Sequence, residues 1–136
     1  EFSPTITVRS IVDRFLEHSR IYYFANDEAP EIYVGSGDWM YRNFQKRIEV
    51  AFPIEEPSLQ SRILDEILPI HLGDNIKAHQ LQSDGTYLQL SPDDSDKAMR
   101  SQLKFMELSR NAVARSQQDT AEFTIDEAPP ENQSAA

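Results

Sequence analysis

The chain has no cysteine and only four glycines and one tryptophan in 136 residues. The absence of cysteine excludes disulfides, thiolate catalysis and zinc sites built on sulfur. No apolar run approaches the ~18 residues needed to span a bilayer. There is also no basic leader followed by an apolar centre and a small-residue cleavage site. We therefore expect neither a transmembrane segment nor a secretory signal.

Positive charge is also scarce, since the formal net charge is -10 at pH 7. Phosphate backbones of nucleic acids are bound by clustered lysine and arginine, so we expect no nucleic-acid partner. The negative charge is uneven, because residues 117–136 contain five acidic residues and no basic one. That segment is also poor in large apolar groups. The composition predicts one domain over residues 1–116, followed by an acidic disordered tail over 117–136.

Apolar spacing in the first half of the chain predicts a helix followed by three strands. The spacing between Thr5 and Glu17 is nearer to that of a helix than of a strand. Two β-branched and aromatic runs, RIYYFAN and EIYVGS, flank the turn-forming NDEAPE and predict a β-hairpin. The run IEVAFPI predicts a third strand.

The second half predicts two helices around a second hairpin. One helix starts at Pro57, with Gly73 just past its end. Short strands flank the turn Ser83-Asp84-Gly85. The last helix is predicted over residues 97–115, capped by the polar residues 91–96. Because two connections are too short for crossovers, the fold class is α/β or mixed α+β, with a mostly antiparallel or mixed sheet flanked by helices.

The residues with chemical potential concentrate between positions 18 and 47. If the strands of the first hairpin pair, their outer ends meet, which brings His18 to the turn Gly35-Ser36-Gly37-Asp38. An imidazole, the Arg20 guanidinium, a hydroxyl and backbone N–H groups would then surround one pocket. These groups can hold a phosphoryl group and move a proton.

Each of these residues also has a structural interpretation. From the residues alone, a histidine at a helix end more often caps carbonyl groups than takes part in chemistry. Arg20 either binds phosphate or forms a salt bridge with Glu17 or Asp38, and Trp39 is predicted to pack in the core or in a wall. The GSGD stretch is either part of a pocket or only a turn.

The remaining polar residues give weaker signals. His71 and His79 have no neighbours typical of a metal site, so we interpret both as surface or boundary residues and predict no metal site. An aspartate-rich stretch lacks the glycine and the terminal glutamate of a calcium loop. Three basic residues either line a path for a polyanion or lie on a solvated face: Arg42, Lys46 and Arg47.

Two long runs, VRSIVDRFLEHSRIYYFAN and IYVGSGDWMYRNFQKRIEVAFPI, occur in order and are followed by DNIKA and DGTY. Together they closely resemble the carboxy-terminal end of bacterial polyphosphate kinases, over about residues 6–90. The resemblance implies a phospholipase-D-like domain that contributes one of two histidines to a shared site. Enzymes of this family reversibly transfer the γ-phosphate of ATP to the end of a polyphosphate chain, with Mg²⁺.

This resemblance assigns roles to individual residues. His18 matches the second histidine, which donates a proton to the leaving nucleotide and contacts its phosphates, whereas the histidine that becomes phosphorylated lies in a preceding domain. The phospholipase-D signature has a lysine where this chain has Arg20, which keeps a phosphate-binding cation. The resemblance implies that five residues bind nucleotide or phosphate: His18, Arg20, Ser36, Asp38 and Asn43.

The resemblance also implies a wider context for the chain. We expect a carboxy-terminal fragment, inactive in synthesis alone, of an enzyme that takes ATP or ADP and polyphosphate as substrates and has its Mg²⁺ ligands in other domains. The full-length enzyme is expected to be a cytoplasmic homo-oligomer, either free or peripheral to the inner membrane. Two alternatives stay open: a phospholipase-D-type phosphodiester hydrolase or transferase completed by dimerisation, and a non-catalytic binding module.

Overall fold

A computed structural model describes residues 5–94 and 96–126 of the chain, with side chains as far as residue 117. The described strands form two three-stranded antiparallel sheets, with strand orders β2-β3-β4 and β1-β5-β6. The chain divides after Ser101 into two compact units. The mixed α and β class is confirmed. The strands are β1 (Arg9–Ile11), β2 (Ile21–Phe24), β3 (Glu31–Gly35), β4 (Ala51–Pro53), β5 (Ala78–Leu81) and β6 (Tyr87–Gln89).

The helices are short except for the last one. They are α1 (Tyr41–Lys46), α2 (Pro57–Arg62), α3 (Leu68–Leu72) and α4 (Ser101–Asp126), and a π-helical turn (Ile63–Ile67) joins α2 to α3. In the part of the chain that the structure describes, no helix has the length and apolar character needed to cross a bilayer.

The first sheet confirms the predicted hairpin and the third strand. The strands β2 and β3 pair from Ile21 opposite Val34 to Phe24 opposite Glu31. On the other side of β3, the strand β4 pairs with Tyr33 opposite Pro53. Because β4 is an edge strand, the missing N–H of Pro53 is tolerated there.

The second sheet corrects the prediction for the start of the chain. The segment predicted as a helix over residues 5–17 contains the strand β1, which pairs with β5 with Arg9 opposite Gln80. β-Branched residues occupy six of the eight positions from 5 to 12, and they favour a strand once a pairing partner is available. The predicted second hairpin, β5–β6, is confirmed, and Gly85 in its turn has a φ of 86°, in the region that favours glycine.

The helical run after β4 begins and ends as predicted. Pro57 occupies the first turn, and the Glu56 side chain accepts a hydrogen bond from the Ser58 N–H. Within the run, the Leu68 N–H donates to the Ile63 carbonyl oxygen, five residues back, which is the mark of a π-helical turn. Ile63 and Ile70 are both buried.

The start of α4 is fixed by a distant aspartate and not by the predicted cap over residues 91–96. Asp74 is fully buried, and its Oδ2 accepts hydrogen bonds from the Ser101 N–H and the Ser101 hydroxyl, both at 2.8 Å. Its Oδ1 accepts from the N–H groups of Ile76 at 3.1 Å and Lys77 at 2.7 Å. The helix therefore begins at Ser101 and not at residue 97.

An ion pair lies next to this anchor. The Arg100 guanidinium donates through Nε and Nη2 to the two carboxylate oxygens of Asp13, at 2.9 and 2.6 Å. The Asp13 side chain is only 2% exposed. The hydrogen bond from Arg100 lowers the pKa of Asp13, although burial acts in the opposite direction.

The helix α4 also extends further than the sequence predicted. It continues past residue 117 to Asp126, so part of the segment predicted as a disordered tail is helical. Glutamine, alanine and glutamate in this part are good helix formers, which outweighs the shortage of apolar groups. The rest of the predicted tail lies outside the described residues.

Candidate functional site

A cleft of about 440 Å³ lies at the end of the β2–β3–β4 sheet where β2 begins and β3 ends. Its polar lining includes His18, Arg20 and Ser36. This arrangement confirms that His18 lies close to the Gly-Ser turn. We call this cleft of about 440 Å³ the histidine cleft. Its apolar wall is formed by residues from the three strands of this sheet and from the π-helical turn, among them Val34, Phe52, Ile63 and Ile67.

Backbone pairing places these groups together. The Gly35 N–H donates to the Arg20 carbonyl oxygen at 3.0 Å, and the Ser36 N–H donates to the Val50 carbonyl oxygen at 3.0 Å. A Cβ atom on Gly35 would lie 3.0 Å from the Val50 carbonyl oxygen. Glycine at this position therefore permits the close approach of the two chain segments.

The His18 ring is exposed at the mouth of the histidine cleft. Among the described residues, none forms a hydrogen bond or ion pair with this ring. No helix ends at His18, since β1 ends at Ile11 and β2 starts at Ile21. The interpretation of His18 as a helix cap is therefore wrong, and its ring nitrogens are available to a ligand.

The Arg20 guanidinium is held at the cleft wall by Asp38. Its Nε donates to Asp38 Oδ1 at 2.5 Å, and its Nη2 contacts the same oxygen. A further bond runs from Nη1 to the Ser19 carbonyl oxygen at 3.1 Å. The salt bridge with Asp38, one of the predicted alternatives, is present, and Asp38 does not itself line the histidine cleft.

The Ser36 hydroxyl is engaged by the neighbouring strand segment. Its Oγ donates to Glu49 Oε2 at 2.7 Å and accepts from the Val50 N–H at 3.2 Å. Sequence reasoning missed Glu49. The pairing of Gly35 with Ala51 brings Glu49 opposite the turn, so an acidic residue two positions before β4 was the available signal.

Asn43 lies apart from the histidine cleft. It is 4% exposed on α1, and its Nδ2 donates to the Asp38 carbonyl oxygen at 3.0 Å. Its Oδ1 is buried without a hydrogen-bond partner among the described residues. Asn43 lines a second cleft of about 170 Å³, together with Tyr22 and Trp39.

Trp39 is not a core residue, in contrast to one of the predicted interpretations. It is 80% exposed, and its ring stacks on Tyr22 with the ring centroids 6.3 Å apart and the planes at 19°. The hydroxyl of Tyr22 donates to the Gly37 carbonyl oxygen at 3.3 Å. Trp39 therefore forms an accessible aromatic wall of the second cleft.

The other predicted residues lie outside the lining of both clefts. Arg42, Lys46 and Arg47 are exposed, which agrees with the solvated-face interpretation. His71 and His79 are half-buried boundary residues, and His71 Nε2 lies 3.4 Å from Glu17 Oε2. No group of three potential metal ligands is found within the described ranges.

The histidine cleft can bind an anion and transfer a proton. An accessible imidazole can act as proton donor or acceptor. The Arg20 guanidinium can contact phosphate oxygens with the donors that Asp38 and the Ser19 carbonyl oxygen leave unused.

Comparison with known proteins gives a consistent set of relatives. The family model described as polyphosphate kinase C-terminal domain 2 matches residues 1–102. The chain is 42% identical over 114 residues to the polyphosphate kinase of Parasynechococcus marenigrum, covering 84% of the chain and 16% of that protein. It is 59% identical over 85 residues to that of Burkholderia multivorans, covering 62% of the chain and 12% of that protein.

A solved structure agrees with these relatives. The crystal structure of polyphosphate kinase from Porphyromonas gingivalis matches with a TM-score of 0.71 and 38% identity, over 80% of the chain. The match covers 16% of that crystallised chain. The chain thus spans about a sixth of the length of such relatives.

Proposed function

The chain belongs to the polyphosphate kinase family, and from this premise we propose that it supplies His18 and Arg20 to a site that reversibly transfers the γ-phosphate of ATP to polyphosphate. The observation that carries the proposal is the single cleft in which His18, Arg20 and Ser36 meet. Nucleotide and polyphosphate would share this cleft with groups from other domains of the enzyme.

His18 would act as the proton donor. In the first half of the forward reaction, the bond between the γ-phosphorus and the β–γ bridging oxygen of ATP breaks, and a bond forms to a histidine nitrogen from outside this chain. The leaving ADP oxygen takes a proton from the His18 ring. In the second half, a terminal oxygen of polyphosphate forms a bond to that phosphorus and the phosphorus–nitrogen bond breaks. Phosphoryl transfer needs positioning and neutralisation of oxygen charge more than covalent chemistry, and Arg20 supplies a cation for that purpose.

The other predicted residues would act indirectly. Asp38 orients the Arg20 guanidinium through the bond at 2.5 Å. Ser36 holds the turn against the next strand through Glu49 and Val50. In this proposal both are positioning residues.

Magnesium does not fit the described residues of the histidine cleft. Mg²⁺ is bound by carboxylates and phosphate oxygens, and the lining of this cleft contains no carboxylate. We therefore derive no step through Mg²⁺ and propose that its protein ligands lie in other domains. The homo-oligomeric state and the cytoplasmic or membrane-peripheral location stay predictions.

The proposal is tested by a chimera in which this chain replaces the matching segment of the Porphyromonas gingivalis enzyme. His18→Ala should lower ATP-dependent polyphosphate synthesis about 10²- to 10⁴-fold, because a general acid contributes that much. His79→Ala, which changes a histidine on the other sheet, should leave synthesis within about twofold, as expected for a side chain outside the site.

The outcomes separate the candidate functions. Near-normal synthesis by the His18→Ala chimera, with an active unsubstituted chimera, would remove His18 from the mechanism. Hydrolysis of a phosphodiester by this chain alone, rising steeply with protein concentration, would favour the phospholipase-D-type alternative. The same near-normal synthesis by the His18→Ala chimera would favour the non-catalytic binding module.

A further inference from the structure

We propose that His71 is a positioning residue for His18. Its imidazole holds the Glu17 carboxylate, and Glu17 is the residue directly before His18 in the chain. The contact fixes the segment that carries the proton donor to the end of the helical run after β4. The inference rests on the proposed function, because that function makes the position of His18 matter for the reaction.

The position of His18 depends on its backbone. The ring is exposed at the mouth of the histidine cleft without a hydrogen bond or ion pair among the described residues, and the segment between β1 and β2 contains no helix or strand. After His18, the Arg20 carbonyl oxygen accepts from the Gly35 N–H, and the Arg20 guanidinium binds Asp38. Before His18, the contact of Glu17 with His71 provides the corresponding hold.

His71 continues the face of the helical run that forms the wall of the histidine cleft. Ile63 and Ile67 line this cleft, and His71 follows Ile67 by four residues, one helical turn further along. His71 Nε2 lies 3.4 Å from Glu17 Oε2, and the two side chains are 24% and 34% exposed. One helical run therefore contacts both the cleft and the residue that precedes His18.

The backbone of Glu17 is held less firmly than its side chain. Its carbonyl oxygen accepts from Arg20 Nη1 at 3.5 Å, which is long for a hydrogen bond and therefore weak. The charge of the Glu17 carboxylate makes its contact with His71 the stronger of the two. Loss of the His71 ring should therefore loosen the chain at Glu17 and at the next residue, His18.

The contact does not require a particular charge on His71. A neutral imidazole can carry its proton on Nε2, and a charged imidazole carries a proton on both nitrogens, so either form can donate to the carboxylate. Glutamine at position 71 also offers an N–H donor near the end of its side chain, whereas leucine offers none. The variants His71→Gln and His71→Leu therefore separate the donor from the space that the ring fills.

The chimera with the Porphyromonas gingivalis enzyme provides the kinetic test. His71→Leu should lower kcat about tenfold or more, because displacement of a reacting group by about 1 Å can cost about 10²-fold. The KM for ATP should change by less than about twofold, since Arg20 keeps its anchor at Asp38 and His18 donates its proton in the transition state. His71→Gln should bring kcat to within about threefold of the unsubstituted chimera, because it keeps a neutral donor.

Nuclear magnetic resonance of the chain itself tests the contact independently of activity. The order parameter of the His18 backbone N–H should fall in His71→Leu, from the roughly 0.85 of rigid backbone toward the roughly 0.6 below which backbone is flexible. It should recover in His71→Gln. His79→Leu makes the same change in a half-buried histidine on β5, in the other sheet, and should alter neither this order parameter nor kcat.

Three kinetic results would overturn the positioning role. They are an unchanged kcat in His71→Leu, a loss that His71→Gln does not repair, and an equal loss in His79→Leu. A fall in the urea midpoint of His71→Leu large enough to explain the lost activity would also overturn it, because the ring would then only stabilise the fold.

The order parameter separates this inference from the proposed function. If the unsubstituted chimera is inactive, or if His18→Ala leaves it active, the proposed function fails and the chain alone decides on His71. Loss of order at His18 in His71→Leu, with recovery in His71→Gln, would still support the contact. An order parameter that is the same in all variants would overturn it.

Discussion

Replacement of Asp74 by asparagine should be one of the most damaging conservative changes in the chain. Both carboxylate oxygens are used, and together they accept four hydrogen bonds, three of them from backbone N–H groups. Asparagine offers one oxygen and turns an NH₂ group toward the other pair of donors. The Ser101 hydroxyl can rotate away from the NH₂ group of asparagine. A buried backbone N–H group is fixed in direction and would lose its acceptor.

The cost follows from these contacts. An unsatisfied buried donor costs about 1–3 kcal/mol, and the bonds that remain lose their charge assistance. We expect Asp74→Asn to lower the free energy of unfolding by about 3 kcal/mol. Ser101→Ala removes only the hydroxyl and should cost about 1 kcal/mol.

Asp84 provides a matched control for the same substitution. It is exposed, and a single oxygen, Oδ1, accepts both the Thr86 N–H at 2.9 Å and the Thr86 hydroxyl at 2.7 Å. Asp84→Asn keeps that oxygen and should leave the free energy of unfolding nearly unchanged. Urea unfolding at pH 7, followed by far-ultraviolet circular dichroism, measures all three variants. An Asp74→Asn cost within about 0.5 kcal/mol of the Asp84→Asn cost would refute the role of the buried carboxylate.

Two further predictions concern the same region. Burial raises the pKa of Asp74, but hydrogen bonds from Ser101, Lys77 and Ile76 outweigh it and hold the pKa below the ordinary 3.8. The stabilisation by this carboxylate should therefore be complete above that value and be lost as the pH falls through the folded-state pKa. The stability gap between the native chain and Asp74→Asn should stay constant from about pH 7 to 5 and shrink on further acidification; a gap that widens in acid contradicts this sign. Arg100→Leu should lower the urea midpoint clearly, because it leaves the Asp13 side chain, which is 2% exposed, without its ion-pair partner, whereas Lys104→Leu, which breaks an exposed pair with Glu107, should leave the urea midpoint nearly unchanged. Equal urea midpoints for these two variants would argue against the Asp13 pair as an anchor.

The elements that the sequence predicted well are those with local signals. The two hairpins carry turn residues between β-branched runs, and the helix after β4 carries Pro57 at its start and Gly73 past its end. The position of His18 in one cleft with the Gly-Ser turn followed from the pairing of the first hairpin alone.

The elements that sequence reasoning missed depend on distant partners. The strand β1 was predicted as a helix because its stability comes from pairing with β5, far along the chain. The cap of α4 was sought in the residues just before it, whereas the hydrogen bonds come from Asp74. The burial of Asn43 against the Asp38 backbone has no signature in a pattern of apolar residues. Local propensity cannot report contacts of these kinds.

The π-helical turn has a consequence for how this chain tolerates insertions and deletions during evolution. Such a turn amounts to one extra residue within an α-helix, and here it brings Ile63 and Ile67 to the histidine cleft while Ile70 stays buried. Loss of one residue inside the turn would restore a regular α-helix and leave Ile70 facing nearly the same direction, because the π-helical turn absorbs the roughly 100° of rotation that one residue adds to an α-helix. Loss of one residue between Ile67 and Ile70 would instead turn Ile70 by roughly 100° and take it out of the core. A one-residue gap is therefore far better tolerated inside the turn than in the regular helix that follows it.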